Sequence, residues 1–259
     1  MPAIFLFLLV LPTILSAAVE EERKTFPGAA ITALEVHNNA GRLKIVAGST
    51  TPEVVATKRV FEPGCRLSME LLGSKLVVKV TTESEKYRSP RCDVDLTITI
   101  PKRCALDLHL GSCDATVFGT EGDLEATFGS GDLEVQATLL RVTGRSGSGD
   151  VELKGTVLTG EWRSGSGDVE LEALAGPFAV TTGSGEIELT VTTLPVDAKL
   201  NLRSGSGDIE VTIPAQLCPR PQLKSGSGTI VNDLAGCVGQ AFDLEAVTGS
   251  GDLVLKKGK

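Results

Sequence analysis

The sequence predicts an all-β solenoid, and three observations carry that prediction. First, a short motif returns at fixed spacing. Second, the residues around it alternate between apolar and polar. Third, no long stretch carries a helical apolar stripe. The motif is Ser146-Gly147-Ser148-Gly149-Asp150-Val151-Glu152-Leu153, and close copies start at Ser164 and Ser204. Thr182–Leu189, Ser225–Asn232 and Thr248–Leu255 are altered copies, and Phe128–Val135 is an earlier, weaker one. Aligned on the residue after the turn glycine, the copies fall at 114, 132, 150, 168, 186, 208, 229 and 252, so the spacings are 18, 18, 18, 18, 22, 21 and 23. A half-step copy, Gly122-Asp123-Leu124-Glu125, divides one repeat into two arms, each a short strand and a corner. Such a unit cannot bury its apolar face alone, whereas stacked units at about 4.8 Å bury a continuous core. The predicted fold is a single-stranded, right-handed parallel β-helix with rungs of 18–23 residues. An antiparallel meander turning at each Ser-Gly also accounts for the period, but near-identical rungs stack naturally in parallel.

The chain divides into an export signal (1–18), a charged lead (19–30), a hairpin-rich β region continuous with the solenoid (31–110), the repeats (111–255) and a basic tail (256–259). Ile4–Leu15 is uncharged and Ser16-Ala17-Ala18 offers small residues for cleavage, as a secretory signal requires. A retained short membrane anchor is the competing reading, and it is the one route to a membrane. Ile31–His37 and Arg42–Val46 flank a hairpin or tight corner at 38–41. Glu53–Phe61 is a strand, and Arg66–Leu72 with Lys75–Thr81 reads as a hairpin. Val94, Leu96, Ile98 and Ile100 alternate with polar residues, as do Leu106, Leu108 and Leu110, which marks strands with one buried face. Only 4% of residues are aromatic, so Val, Leu, Ile and Ala must fill the core.

Inside each repeat, Val151 and Leu153 point inward and Asp150 and Glu152 outward. Stacking in register then builds an acidic surface ladder from Asp132, Glu134, Asp150, Glu152, Asp168, Glu170, Glu186, Glu188, Asp208 and Glu210. Like charges at rung spacing repel by ~1 kcal/mol per pair in water. Arg145, Arg163, Arg203 and Lys224 each precede a corner and are expected to lie beside that ladder. The glycines are expected to supply positive φ and to let neighbouring backbones approach.

Six cysteines follow the signal: Cys65, Cys92, Cys104, Cys113, Cys218 and Cys237. An even number in an exported chain points to disulfides, with 15 pairings possible. The layout favours Cys65–Cys92, Cys104–Cys113 and Cys218–Cys237. Zinc is disfavoured, because there is no CxxC pair and neither histidine lies at ligand spacing from a cysteine pair.

The net charge of −8 and the lack of a basic, aromatic-interleaved cluster argue against nucleic acid. Calcium is the sharpest site hypothesis, with Asp132, Asp150, Asp168 and Asp208 as candidates. Their match to calcium-binding β-roll repeats is partial, and outward acids on a flat ladder rarely gather six to eight oxygens. A solvated charged face that keeps a rod soluble is the favoured reading of these acids. No residue is assigned a catalytic role and no cofactor is expected. No serine sits in a strand-to-helix elbow, no glycine run forms a phosphate loop, and the acids are repeated rather than singular. His37 and His109 read as solvated or structural.

Repeated [ST]GSGD cores, a strand ending in Ile100-Pro101-Lys102 and an exported N-terminus resemble the bacterial putative-adhesin, β-strand-repeat family of unknown function. That family is related to the head domains of autotransporter adhesins and to the toast-rack solenoids of envelope-stress regulators. The resemblance covers roughly Leu34 to Leu255. It implies a right-handed β-helix-like fold in the bacterial envelope, and it carries over no catalytic residues. The cysteines are not part of the family pattern. The expected function is a structural or adhesion-type binding module, periplasmic or on the cell surface, with an envelope protein or surface glycan as partner. A sensing or regulatory module and a carbohydrate-active β-helix enzyme are the alternatives, the latter needing a cleft with acids beside Trp162. Function is expected where the copies fail: the enlarged late rungs, the cysteine loops and the first third.

Overall fold

A computed structural model describes residues 20–27, 31–83 and 90–258. The expected signal, 1–18, lies outside the described residues. The chain is all-β, with strands forming two stacks that face each other across one apolar core. The first stack, sheet A, runs in spatial order through β5 (Cys65–Leu72), β6 (Lys75–Thr82), β2 (Ala33–Asn38), β8 (Ala105–Leu110), the second halves of β9 (Asp114–Phe128) and β10 (Leu133–Ser146), β12 (Gly160–Ser164), β14 (Phe178–Thr182), β16 (Lys199–Ser204), β20 (Gln240–Thr248) and β18 (Leu217–Ser225). Sheet B runs through β1 (Glu20–Thr25), β4 (Glu53–Phe61), β7 (Cys92–Ile100), β3 (Arg42–Ala47), the first halves of β9 and β10, β11 (Val151–Val157), β13 (Val169–Leu174), β15 (Ile187–Val191), β17 (Ile209–Ile213), β21 (Leu253–Lys257) and β19 (Ile230–Asn232). Each repeat gives one arm to each sheet, and the Ser-Gly corner joins them. β9 and β10 pass through both stacks without a break.

Pairing along the repeats is parallel and in register, which removes the meander. Val151 faces Val169, Val169 faces Ile187 and Ile187 faces Ile209. The antiparallel pairs are confined to one end, where β5 hairpins with β6, and β4 lies between β1 and β7. The segment 38–41 is a corner, not a hairpin: β2 and β3 each pair with other strands and form a rung of their own. Within the charged lead, Glu20–Thr25 is a strand, β1, exposed at all six residues.

Chain order and spatial order part company at both ends. The β2–β3 rung sits between β6–β7 and β8–β9, although it comes first in sequence. At the far end, β20–β21 slots between β16–β17 and β18–β19, so the Thr229 rung is outermost and the Asp252 rung lies beneath it.

The core is built from columns of side chains. Leu133, Val151, Val169, Ile187, Ile209 and Leu253 stack in one column, and Val135, Leu153, Leu171, Leu189, Val211 and Leu255 in the next, all at most 1% exposed. Trp162 is fully buried opposite Gly144, where a Cβ would stand only 1.9 Å from the indole. Phe178 likewise packs over Gly160. Large rings fit because the preceding rung is small at that point, as close packing demands.

The corner glycines act through space, not through φ. None of those in the Ser-Gly-Ser-Gly-Asp copies has positive φ. A Cβ on Gly167 would lie 2.0 Å from the carbonyl oxygen of Gly149, and one on Gly149 1.8 Å from that of Gly131. Both glycine columns therefore exist so that one backbone can rest on the next.

Two disulfides form, Cys65–Cys92 and Cys218–Cys237, with Cα separations of 5.8 and 5.6 Å. The third expected pair does not: Cys104 and Cys113 are free and buried. The extended strand β8 separates them by about 16 Å at ~3.3 Å per residue, beyond the 4.4–6.8 Å Cα range of a disulfide. Cys104 lies at the start of that strand beside Thr120, and Cys113 beyond its end beside Asn38.

Two measurements check this packing. Gly167→Ala is expected to cost about 1–3 kcal/mol in denaturant unfolding, the usual penalty of overpacking. The exposed neighbour change Ser166→Ala should stay within about 0.5 kcal/mol. Burial pushes the Cys104 and Cys113 thiols up to about 12. Iodoacetamide without reductant should therefore add nothing to the folded protein and two groups to the unfolded one, read by intact mass.

Candidate functional site

The motif's polar residues resolve into two different jobs. The first hydroxyl of each copy is turned inward: Ser164, Thr182, Ser204 and Thr248 are buried. Their oxygens accept the N–H three residues on, as from Gly167 to Ser164 Oγ at 3.0 Å and from Gly207 to Ser204 Oγ at 2.7 Å. The Ser204 and Thr248 hydroxyls also donate to carbonyls of the rung below, Gly185 and Gly207. A buried hydroxyl left unpaired would cost about 1–3 kcal/mol, so these bonds close the corner.

The aspartates are also spoken for. Asp132 Oδ1 accepts the N–H of Asp150 at 2.9 Å, Asp150 that of Asp168 at 2.8 Å, Asp168 that of Glu186 at 2.7 Å, and Asp208 that of Asp252 at 2.7 Å. Backbone N–H to carboxylate bonds are charge-assisted and strong. The four calcium candidates thus each tie one rung to the next through an oxygen. The carboxylates whose oxygens approach within 4.8 Å of one another are instead Glu152, Glu170 and Glu172.

The glutamates two residues further on form an outward, mostly half-buried ladder. Glu134, Glu152, Glu170, Glu188 and Glu210 are register partners along β10, β11, β13, β15 and β17 on the outer side of sheet B. Glu134, Glu152 and Glu170, with Asp132, Asp150 and Asp168, line a shallow groove of about 440 Å³. Lys154 pairs with Glu152 and Lys256 with Glu210. The central Glu170 has no such partner among the described residues. Its carboxyl is pushed upward, first by burial and then by the charges of Glu152, Glu188 and Glu172.

The basic row is elsewhere, which corrects the expectation. Arg145, Arg163, Arg203 and Lys224 project from sheet A strands β10, β12, β16 and β18, across the corner from the glutamates. They sit beside a different set of acids. Arg163 pairs with Glu161 at 3.0 Å and Arg203 with Glu245 at 2.5 Å. Arg163 and Arg203 are therefore paired on sheet A, and the sheet B glutamates are met by lysines only at Glu152 and Glu210 among the described residues.

Sheet A holds one constellation that the sequence reading missed. His37 on β2 and His109 on β8 are register partners, and their rings stack at 4.4 Å with an 18° tilt. His37 Nε2 lies 2.8 Å from Glu35 and His109 Nε2 2.9 Å from Asp107. Lys75 and Lys79 reach Glu35 at 2.5 and 2.7 Å, and Lys75 also approaches Asp107 at 3.5 Å. These lysines and His37 hold the Glu35 carboxyl far below the usual range. The signal was present in the sequence: Ala33-Leu34-Glu35-Val36-His37 and Ala105-Leu106-Asp107-Leu108-His109 match in type at a separation of 72, four steps of 18. Trp162, the anchor of the enzyme alternative, is in the core and donates its Nε1 proton to Ser146, so it offers no sugar platform.

A β-solenoid with an in-register [ST]GSGD corner agrees with what comparison finds. The family model described as Toastrack DUF4097 matches residues 65–257. The chain belongs to the Toastrack DUF4097 family. A solved structure from Bacteroides fragilis, described as a putative adhesin, is similar over 92% of this chain and 97% of the other, at 12% identity and a TM-score of 0.55. One from Parabacteroides distasonis, described likewise, covers 92% and 98%, at 10% identity and a TM-score of 0.44. At such identity the first likeness concerns the fold alone, and the second carries no argument. No curated protein matches.

The raised Glu170 carboxyl gives a signed expectation. A folded-state value above the unfolded one means that stability is lost as pH rises through the folded value. Glu170→Gln should therefore melt higher than wild type at pH 7, and the gain should vanish below the unfolded carboxyl value of about 4.3. Salt should shrink it, because screening weakens the repulsion.

Proposed function

We propose that this Toastrack protein is an exported, non-catalytic binding rod of the adhesion type, with an envelope protein or surface glycan as partner. The observation that carries this reading is the unbalanced glutamate ladder on sheet B. Five carboxylates stand in register on a scaffold fixed by backbone pairing, and among the described residues lysines pair with only two of them, Glu152 and Glu210. A rigid repeated array binds by adding weak contacts along its length, as solenoid surfaces do. The partner would present basic or hydrogen-bond-donating groups at a matching repeat.

Further support comes from the two disulfides, which suit an oxidising compartment, and from the solved Bacteroides fragilis structure of like fold, which is described as a putative adhesin. The burial of Trp162 leaves the carbohydrate-enzyme alternative without its proposed centre.

The test separates fold from contact. The aspartates are unsuitable targets because they hold rungs together, whereas Glu152, Glu170 and Glu188 bear no backbone bond. Glu152→Gln, Glu170→Gln and Glu188→Gln combined should keep the far-ultraviolet circular dichroism spectrum. The same triple variant should lose retention on whole cells or extracted wall glycans, in a salt-sensitive manner. Undiminished retention by a folded triple variant would remove the ladder from the contact.

A further inference from the structure

We propose that His37 and His109 form a site for a divalent transition-metal ion of the zinc type, bound through their Nδ1 atoms on the outer side of sheet A. This site is independent of the glutamate ladder.

The geometry points there in four steps. Parallel pairing of β2 with β8 places the two histidines opposite one another, with ring centroids 4.4 Å apart. Each Nε2 faces a carboxylate, Glu35 at 2.8 Å and Asp107 at 2.9 Å. His37 Nε2 is hydrogen-bonded to Glu35 and a carboxylate only accepts, so the proton of the neutral His37 imidazole belongs on Nε2 and its lone pair on Nδ1. Metal-binding histidines have this outer arrangement, in which a carboxylate on one ring nitrogen fixes the tautomer and makes the other nitrogen a better ligand.

The carboxylates are themselves held in place. Lys75 and Lys79 clamp Glu35, and Lys75 reaches Asp107. The lysines are therefore committed to the acids.

Nδ1, separated from Nε2 by Cε1, has no hydrogen-bond partner among the described residues. Both rings line a pocket of about 510 Å³, together with Asn38, Asn39, Thr81, Thr82 and Thr127. Asp107 Oδ1 is close to His109 but makes no formed hydrogen bond, which leaves that ring free to reorient.

Two bonds of 2.0–2.1 Å to one ion need nitrogens roughly 3 Å apart. In the 4.4 Å stack the in-plane Nδ1 lone pairs run side by side, so binding one ion requires the part-exposed rings to turn about their side-chain bonds until the two lone pairs converge. Imidazole favours zinc, nickel and copper over calcium or magnesium, so the ligand class differs from the calcium considered for the aspartates.

The test is calorimetric titration of the full chain with zinc chloride in chelator-free buffer. The expected result is saturable binding of one ion per chain. His37→Gln and His109→Gln should each weaken it by at least about tenfold, and Glu35→Gln, outside the coordination sphere, by about 10- to 100-fold. The combined Glu152→Gln, Glu170→Gln, Glu172→Gln variant should bind as wild type does. Both ring side chains are part-exposed, at 34% and 44%, so these variants should melt as wild type does without metal. Zinc-dependent shifts of the wild-type histidine ring resonances give a readout that needs no variant. Unchanged zinc affinity in the His37→Gln, His109→Gln double variant overturns the proposal. So does loss of binding only in the glutamate variant, or wild-type ring resonances that zinc does not move.

Discussion

Backbone resting on backbone is the contact on which the rest of this molecule depends. A Cβ at Gly149, Gly167, Gly185 or Gly207 would fall within about 2 Å of the carbonyl one rung below, so the corner closes only where there is none. That single steric condition fixes the neighbouring choices. With the glycines in contact, the preceding hydroxyl is driven inward and must satisfy its own corner, as Ser164 and Ser204 do. The following residue emerges where its carboxylate can reach the next backbone N–H, as Asp132, Asp150 and Asp168 do. Glu186 takes the same position but makes no such bond to Asp208 among the described residues. The chain after it is longer by four residues, and the aspartate pattern resumes one rung later. The motif is a joint, and its chemistry is spent on the joint.

This explains what could be read from the sequence. A joint must recur at a fixed interval and leaves a mark that needs no alignment. The spacing, the inward Val and Leu columns, the outward Glu column and the parallel register all follow from it. So do two of the disulfides, because they close loops where the rungs depart from the repeat. Position within a rung was legible because a strand has period two. Position between rungs was legible only where sequence neighbours are also spatial neighbours.

The failures share that last condition. Cys104 and Cys113 are near in sequence, but an extended strand holds them apart. The arginines precede the corner and the glutamates follow it, so two residue types close in sequence emerge on different sheets. His37 and His109 are distant in sequence but meet, because the β2–β3 rung is inserted ahead of β8. The Thr229 and Asp252 rungs exchange places for the same reason. Each of these depends on long-range placement, which local pattern does not encode.

Those end insertions also bear on how the rod meets other molecules. A stack of parallel strands is open at both ends, and an open edge invites pairing with another chain. Here the first and last rungs of the sequence are both tucked beneath a cap made from internal chain, and each cap carries a disulfide. At one end the edges are the antiparallel β1, polar and exposed at all six residues, and the hairpin strand β5. At the other, β18 carries Pro219 and Pro221, which cannot donate to a further strand, and β19 is only three residues long. Growth of the sheet by end-to-end addition is thus opposed at most of its edges, and the long sides are left as the contact surface. The sides are unlike. Sheet A spends its basic residues against acids of its own and gathers the histidine pair. Sheet B repeats one carboxylate at every central rung with little to oppose it. A partner that reads charge at rung spacing meets an uncompensated array on only one of the two, and the side is decided by which arm of the corner the glutamate follows.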